Sequence, residues 1–244
     1  MKQRDVRELG MYGEEVDIDP TEPQTVLLEE IERLNEDSRI HGIIVQDDYP
    51  DHVDWEAAIE AIDPRKDVDG LHPENIGHLV TGRPRFVPAT PLGIQRLLEH
   101  EGVTIAGADV VIVNRSEIVG KPLAHLLLQK TAGGNATVTV CHSRTNDVPE
   151  KTRNADILVV GVDSPELIDD SYVTQGTVVV DVGIGRVDAD NEKGYELVGD
   201  VDFDAVEPIA SAITPVPGGV GPMTRVMLHS NTVTAARLQH DVDA

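Results

Sequence analysis

The sequence is poor in cysteine and in aromatic residues, and it has no long apolar run. Because Cys141 is its only cysteine, an intrachain disulfide and a Cys-x-x-Cys metal site are both excluded. The nine histidines show neither HExxH nor paired Cys/His spacing, so we predict no metal cofactor. A twenty-residue apolar stretch and a signal-peptide pattern are also missing, which predicts a soluble cytoplasmic protein with no membrane partner.

Positive charge is scarce as well. The chain of 244 residues has 44 acidic and 20 basic residues, of which 14 are Arg and 6 are Lys, for a net charge of −24. This excludes nucleic-acid binding through a basic face. The acidic residues are dispersed among regular apolar residues, so a folded chain fits better than a disordered one. At molar salt the Debye length falls to about 3 Å, which screens self-repulsion, so we predict a halophilic source.

The stretch 109–130, DVVIVNRSEIVGKPLAHLLLQK, changes from strand to turn to helix within a few residues. Residues 110–113 form a β-branched apolar run, typical of a strand buried on both faces of a parallel sheet. Gly120 and Pro122 suit the start of the following helix. Such a turn directs unpaired N–H groups and a positive dipole end at a phosphate. An ordinary βα turn has the same pattern, and GxGxxG is absent.

Further strands are predicted at 136–141, 156–162 and 177–183, with a helix at 148–154. This alternation predicts an α/β fold with a Rossmann-like, doubly wound parallel sheet that binds a ligand at its carboxyl edge. Ser143 and Arg144 follow the second strand, where an NAD-binding unit usually has an acidic residue. That chemistry favours the 2′-phosphate of NADP. A solvated Arg144 without a ligand is the alternative.

The first part of the chain repeats strand and helix patterns, which predicts a second α/β lobe. The predicted elements are a helix 2–9 ending at Gly10, a strand 14–18, a helix 26–34 opened by a capping box of Thr21 and Gln24, a strand 41–45, and a helix from Trp55 to Ile62 capped by Asp54. Residues 64–91 are predicted to be mostly loop, followed by a helix 92–99 capped by Thr90.

Residues 213–224, ITPVPGGVGPMT, contain three prolines and three glycines and cannot form a central strand or helix. They predict either a rigid loop lining a ligand cleft or a plain linker. A helix 223–238 follows, and we expect it to return to the first lobe.

Nine motifs carry a resemblance that covers almost the whole chain. They are, in order, GIIVQ, DVDGLHPENIG, PATPLGI, NRSEIVGKP, TVTVCHSRT, ADILVVGV, VVDVGIGR, VGDVDF and ITPVPGGVGPMT. With these motifs the chain closely resembles the bifunctional methylenetetrahydrofolate dehydrogenase/cyclohydrolase (FolD) family. The resemblance implies a folate-binding catalytic domain at 1–93 and 223–244, short at its N-terminus, and an NADP-binding domain at 94–222.

The resemblance implies a two-step conversion. NADP⁺ takes hydride from 5,10-methylenetetrahydrofolate, and water then opens the methenyl cation to 10-formyltetrahydrofolate. In the family a lysine and a glutamine beside it activate the water, while an aspartate holds the pterin ring. These roles fall on Lys2, Gln46 and Asp69. Without the resemblance, the same residues read as a solvated helix lysine, a strand-end polar group and a turn former.

The resemblance also implies the contacts to the cofactor and to the substrate. The cofactor-binding residues it implies are Asn114, Arg115, Ser116, Ser143, Arg144, Gly183 and Ile184. The loop beside folate and nicotinamide contains Pro217, Gly218, Gly219, Gly221 and Pro222. Family members are usually homodimers through the cofactor lobe, so a homodimer is expected. We assign no role to His72 or His142.

The chain departs from the family at several positions. The family has a segment before the lysine, with a tyrosine four residues ahead of it, and we expect that a longer form of this protein exists. Residues 46–50 read QDDYP instead of the common QLPLP. Asn114 replaces a glycine, which is tolerable if the turn needs a positive φ but can crowd a pyrophosphate. Gly185 replaces an asparagine.

Two other functions remain open at this point. One is a different NADP-dependent dehydrogenase with the same order of lobes, such as a shikimate or amino-acid type, which DVDG and PVPGGVGPMT disfavour. The other is a truncated, non-catalytic binder of NADP or folate.

The charge balance predicts that KCl stabilises the fold. The free energy of unfolding, measured by urea denaturation at several KCl concentrations, is expected to rise towards molar salt because the repulsion among acidic side chains is screened. A stability maximum in dilute buffer would remove the halophilic interpretation.

Overall fold

The computed structural model describes residues 2–46, 49–191 and 193–242, with side chains from residue 4 onward. The chain forms two compact units. The first unit combines Met1–Ala89 with Arg225–Ala244, and the second unit is Thr90–Thr224.

The first unit contains four helices in its described N-terminal part. They are α1 (Lys2–Glu8), α2 (Gln24–Glu36), α3 (Trp55–Glu60) and α4 (Pro73–Val80). The predicted strands 14–18 and 41–45 are wrong, because the first is mostly exposed coil and the second pairs only through one parallel bridge of Ile43 with Asp67. Alternating residues form a strand only where a neighbouring strand accepts their backbone hydrogen bonds.

The ends of α1 and α3 follow the sequence signals. Gly10, at φ +71°, ends α1: its N–H donates to the carbonyl of Arg7 and the N–H of Met11 to that of Val6, as in a Schellman motif. Asp54 caps α3 by accepting from the N–H of Ala57 at 3.1 Å. Both predicted ends are confirmed.

The predicted capping box of α2 is wrong. The Thr21 hydroxyl donates to Asp19 at 2.7 Å, and Pro23 occupies the N-cap position without a side-chain hydrogen bond. Gln24 instead accepts from the N–H of Asp54 at 2.8 Å, which joins the start of α2 to the start of α3.

The buried ammonium of Lys66 closes the other end of α2. It donates to the carbonyls of Leu34, Asn35 and Asp37 at 3.0, 2.7 and 2.9 Å. These are carbonyls at or just beyond the last turn, where no intrahelical partner exists and where a positive charge complements the helix dipole. Burial lowers the pKa of Lys66, but the ammonium is matched by three acceptors.

Two predictions around residues 64–99 need correction. The segment 64–91 is not mostly loop, because α4 forms within it: Pro73 occupies the first turn and His72 Nδ1 accepts from the N–H of Glu74 at 3.0 Å. Helix α5 (Ala89–His100) begins before Thr90, so Thr90 is not its cap. The Thr90 hydroxyl instead bonds the Thr224 hydroxyl at 3.0 Å.

The second unit is built on a five-stranded parallel sheet. Its strands are β1 (Asp109–Val113), β2 (Thr137–Cys141), β3 (Ile157–Val160), β4 (Val178–Asp181) and β7 (Ala212–Ile213). Their order in the sheet is β2-β1-β3-β4-β7. The connecting helices are α6 (Gly120–Leu127), α7 (Val148–Thr152), a 3₁₀ turn Asp170–Tyr172 and α8 (Phe203–Val206). An antiparallel pair, β5 (Gly185–Asp188) and β6 (Tyr195–Val198), stands apart. The predicted α/β fold with a parallel sheet is confirmed.

The apolar run of β1 is explained by burial on both sides. Val110 and Ile112 belong to one core cluster, with Leu123 of α6, while Val111 and Val113 belong to another, with Leu158 of β3. Successive side chains of a strand point to opposite faces, so a strand covered on both faces needs an unbroken apolar run.

The last helix, α9 (Val220–Gln239), supplies its residues from Arg225 onward to the first unit. There Leu228 and Ala235 pack in one cluster with Val68 and Phe86. Asn231 is buried and donates to the carbonyls of Val68 and Val87 at 2.9 and 3.0 Å. Among the described residues, no helix combines the length and apolar character needed to cross a membrane.

Lys66 offers a direct test of the first unit's packing. Lys66→Met is expected to lower the free energy of unfolding by ~2–4 kcal/mol, because it leaves three carbonyls without their charged donor. The measurement is urea denaturation in molar KCl, with the exposed Lys130→Met as matched control. Equal stability of the two variants would contradict this role of Lys66.

Candidate active site

The predicted cofactor residues all follow the carboxyl ends of parallel strands. Val113 of β1 pairs in register with Cys141 of β2 and with Val160 of β3, so these three strands end at one edge of the sheet. The sheet order places β2 and β3 on opposite sides of β1. Ligands of open α/β sheets bind at such a switch point, outside the carboxyl ends of the strands.

The turn after β1 is organised by the side chain of Asn114. Its Oδ1 accepts from the N–H and hydroxyl of Ser116, both at 2.8 Å, and from the N–H of Gly120 at 3.0 Å. Its Nδ2 donates to the carbonyl of Gly161, just after β3. The carboxamide therefore joins the ends of β1 and β3 across the switch point. A Cβ on Gly120 would stand 2.2 Å from the carbonyl oxygen of Asn114, so only glycine fits.

The turn needs no positive φ at Asn114, so the replacement of the glycine is tolerated there without one. One expectation for this turn is wrong. The N–H groups expected to be unpaired at the start of α6 have partners: Val119 donates to Ser116 Oγ, Gly120 to Asn114 Oδ1 and Lys121 to the carbonyl of Ser116. The sequence does not reveal this because all three partners belong to Asn114 and Ser116, two residues within the turn. Arg115 and Ser116 are exposed at the surface of the turn.

A tight turn after β2 presents Ser143 and Arg144. His142 donates its N–H to Thr145 Oγ1 at 2.9 Å and accepts from the N–H of Arg144 at its Nδ1, at 3.1 Å. Ser143 and Arg144 are exposed at the tip. His142 thus shapes the turn, and Arg115 and Arg144 bring two positive charges to the ends of neighbouring strands.

The loops after β3 and β4 are fixed by two buried carboxylates. Asp181 accepts from the N–H groups of Gly183, Asp200 and Val201 at 2.9, 3.1 and 2.9 Å. Asp200 accepts from those of Val162, Asp163 and Ser164 at 2.6, 3.0 and 2.9 Å, and both side chains are at most 3% exposed. Burial raises the pKa of Asp181, against the three N–H groups that lower it.

This pair positions Gly183 and Ile184. A Cβ on Gly183 would stand 2.3 Å from Asp200 Cγ, so the strand end requires glycine. Ile184 follows directly and is 65% exposed, an apolar side chain left facing solvent at the carboxyl edge. Glycine is favoured at position 185 for a different reason, because a Cβ there would stand 2.6 Å from Cγ of Pro165.

The proline- and glycine-rich loop after β7 begins on the same edge. Thr214 Oγ1 accepts from the N–H of Asp181 at 2.8 Å, which ties the start of the loop to β4. The Val216–Pro217 peptide is cis, and Gly218 has φ +119°. Of the five predicted substrate residues, Pro217, Gly218 and Gly219 lie in this loop, and all five are exposed or half-buried. Gly221 and Pro222 lie in the first turn of α9, which begins at Val220 and not at 223 as predicted. The prediction that 213–224 contains no helix is therefore wrong at its end, because the first turn of a helix tolerates proline.

The predicted catalytic residues lie in the first unit. Lys2 is the first residue of α1, and its side chain lies outside the described part of the structure, as do Asp47 and Asp48 of the QDDYP segment. Gln46 is exposed and borders a hollow of about 130 Å³. Tyr49, also on its wall, stacks on Trp55 with ring centroids 5.1 Å apart.

Asp69 is half-buried in a loop that Asp67 closes. The carboxylate of Asp67 is fully buried and accepts from three N–H groups, those of Gly70, Leu71 and His72, and from Asn75 Nδ2, at 2.7 to 3.2 Å. Gly70, at φ +75°, lies against the backbone of Pro88. The first aspartate of DVDG therefore builds the loop on which the second is presented.

Sequence reasoning missed Asp67, Asp181 and Asp200. Each lies in a motif beside a glycine, in DVDG, DVG and VGDV. That pairing of a short acceptor with a glycine at a strand end was the available signal, since glycine permits the close approach that such a carboxylate needs.

Models of two domains of one family match the chain. The tetrahydrofolate dehydrogenase/cyclohydrolase catalytic domain matches residues 1–69, and the tetrahydrofolate dehydrogenase/cyclohydrolase NAD(P)-binding domain matches residues 88–240.

Two relatives carry the name bifunctional protein FolD. The bifunctional protein FolD of Natronomonas pharaonis is 59% identical over 243 residues, covering 100% of this chain and 82% of that protein. The bifunctional protein FolD of Halobacterium salinarum is 59% identical over 242 residues, covering 99% and 82%.

Two solved structures of enzymes with related names are similar to this chain. The FolD enzyme of Campylobacter jejuni has a TM-score of 0.90 and 43% identity, covering 97% of this chain and 81% of that one. The Trypanosoma brucei enzyme, solved with NADP cofactor and an inhibitor, has a TM-score of 0.90 and 40% identity, covering 100% and 82%. This chain belongs to the tetrahydrofolate dehydrogenase/cyclohydrolase family.

Proposed function

We propose that this protein oxidises 5,10-methylenetetrahydrofolate with NADP⁺ and hydrolyses the 5,10-methenyl product to 10-formyltetrahydrofolate. The observation that carries the proposal is 59% identity, over 100% of this chain, to a protein named bifunctional protein FolD. The match of both family domains supports it. The protein is accordingly an oxidoreductase and a hydrolase of one-carbon metabolism.

The carboxyl edge of the sheet fits NADP. Arg115 and Arg144 follow the ends of adjacent strands, and Ser116 and Ser143 accompany them. Two guanidinium groups with the hydroxyl of Ser143 suit the 2′-phosphate, whereas an acidic residue would suit the free ribose of NAD. When bound, NADP⁺ supplies the acceptor for the hydride. Gly183 allows close approach of the backbone, and Ile184 offers an apolar contact to a nicotinamide ring.

The chain's part in the first step is mainly positioning. A nitrogen lone pair of the substrate expels the hydride, so the geometry of the two rings matters more than a strong acid or base. We assign the folate contact to Pro217, Gly218 and Gly219 of the loop, and to Gly221 and Pro222 in the first turn of α9. The backbone of this loop begins at Thr214, which is fixed to β4.

The second step needs an activated water. We assign Lys2 to this step, with Gln46 orienting the lysine and the water, and Asp69 holding the pterin ring. The rigid loop around Asp67 supports the role of Asp69, because a half-buried carboxylate on a fixed loop keeps its position. Gln46 is an exposed residue that borders a hollow, a position compatible with this role.

We further propose a cytoplasmic homodimer from a halophilic organism. Several relatives at 53–59% identity come from Haloarcula, Halobacterium and Haloquadratum species, in line with the net charge of −24. The edge strand β2 leaves Val140 37% exposed, which gives the second unit an apolar strand for a symmetric partner.

The proposed function predicts a two-phase absorbance trace. In molar KCl, methylenetetrahydrofolate with NADP⁺ is expected to give a rise of methenyl absorbance, followed by a protein-dependent decay. Lys2→Met is expected to keep the rise and lose the decay, while Lys121→Met, on an exposed pair with Glu117, keeps both. If the unmodified protein binds NADP⁺ but produces no rise in methenyl absorbance, the proposed activity is wrong and the protein is a non-catalytic binder.

Cofactor choice gives a second prediction. Arg144→Ala is expected to lower kcat/KM for NADP⁺ by about 10- to 100-fold, the value of a charge-assisted hydrogen bond, and to leave the rate with NAD⁺ nearly unchanged. The exposed Arg96→Ala serves as control. Equal loss with both cofactors would show that Arg144 does not contact the 2′-phosphate.

A further inference from the structure

An ion pair fastens the helix that begins with Lys2. In the first unit, Asp5 Oδ2 of α1 lies 2.9 Å from Arg225 Nη1 of α9. The two side chains are 18% and 33% exposed, so the contact is partly shielded from solvent. It joins residues 220 positions apart in the chain.

His229 completes the cluster. It lies one helical turn after Arg225 on α9, a spacing that puts both side chains on one face. Its Nε2 lies 4.0 Å from the same oxygen of Asp5. This nitrogen is buried and has no hydrogen-bond partner among the described residues, and the side chain is 12% exposed. Both groups that α9 directs at α1 therefore converge on one carboxylate oxygen.

Little else among the described side chains holds α1. The helix has seven residues, too few to be stable without tertiary contacts. Of its side chains from Arg4 to Glu8, only Asp5 and Val6 are half-buried, and the others are exposed. The remaining ion pairs, of Arg4 with Asp5 and with Glu8, stay within the helix and anchor it to nothing.

The ion pair of Asp5 and Arg225 is also suited to high salt. At molar ionic strength the Debye length is about 3 Å, so interactions between distant charges vanish while a direct contact survives. The partly shielded Asp5–Arg225 contact therefore still stabilises the helix at a salt concentration that removes the contribution of exposed ion pairs.

We infer that Asp5 and Arg225 are positioning residues for the hydrolytic step. They hold α1, and with it Lys2 one turn before Asp5, at the place where water is activated. The inference rests on the proposed role of Lys2. It predicts that loss of the ion pair slows hydrolysis of the methenyl product much more than its formation, because hydride transfer does not use Lys2.

The test compares both reactions in the full chain in molar KCl. Arg225→Met and Asp5→Asn are each expected to slow the decay of the methenyl product by about tenfold or more, since small misplacement of a catalytic group is costly. Formation should change by less than about threefold. The double variant should be no slower than either single variant, because both remove one interaction. Arg225→Lys should restore most of the rate, and the exposed Arg237→Met of α9 should behave as the unmodified protein.

Amide hydrogen exchange of residues 6–10 provides a second reading. Faster exchange in Arg225→Met, but not in Arg237→Met, is expected if the ion pair holds α1. Unchanged exchange, or an equal slowing of both reactions, would overturn the inference while leaving the proposed function intact. If the unmodified protein forms the methenyl product but does not hydrolyse it, the role of Lys2 and this inference fail together.

Discussion

Two buried carboxylates, Asp181 and Asp200, hold together the edge of the sheet on which the cofactor site depends. Between them they accept six backbone N–H groups from the loops after β3, β4 and β6. An unpaired buried N–H costs ~1–3 kcal/mol, so the two carboxylates stabilise these loops. The glycines at 183 and 199 follow from this arrangement, because a Cβ at either position would meet a carboxylate.

The same principle recurs at two other places. Asp67 closes the loop that presents Asp69, and Asn114 closes the turn after β1. In each case a short polar side chain accepts several nearby N–H groups. Gly120 makes room for Asn114, whereas Gly70, in the loop of Asp67, makes room for the backbone of Pro88. The candidate site is thus shaped by internal hydrogen bonds, while the groups that remain exposed, such as Arg115, Arg144 and Ile184, are those suited to a ligand.

Sequence reasoning predicted the centre of the second sheet well because β1, β3 and β4 are largely buried, so β1 needed an unbroken apolar run and α6 its Gly120 and Pro122. It failed at 14–18, where residues alternate, and at 41–45, an apolar segment, because neither has a neighbouring strand. The candidate site came from motif resemblance. Asp67, Asp181 and Asp200 were missed because, among 44 acidic residues, a nearby glycine was the one local sign that separates a carboxylate binding backbone amides from one facing solvent.

The central claim is that the cofactor edge is already organised without its ligand. Amide hydrogen exchange in molar KCl, with and without NADP⁺, tests it most directly. The amides of Val162, Asp163, Ser164, Gly183 and Val201 should exchange slowly in the protein alone, because each donates to a buried carboxylate, and NADP⁺ should change them little. Fast exchange that becomes slow only with NADP⁺ would show that the ligand, not Asp181 and Asp200, builds this edge.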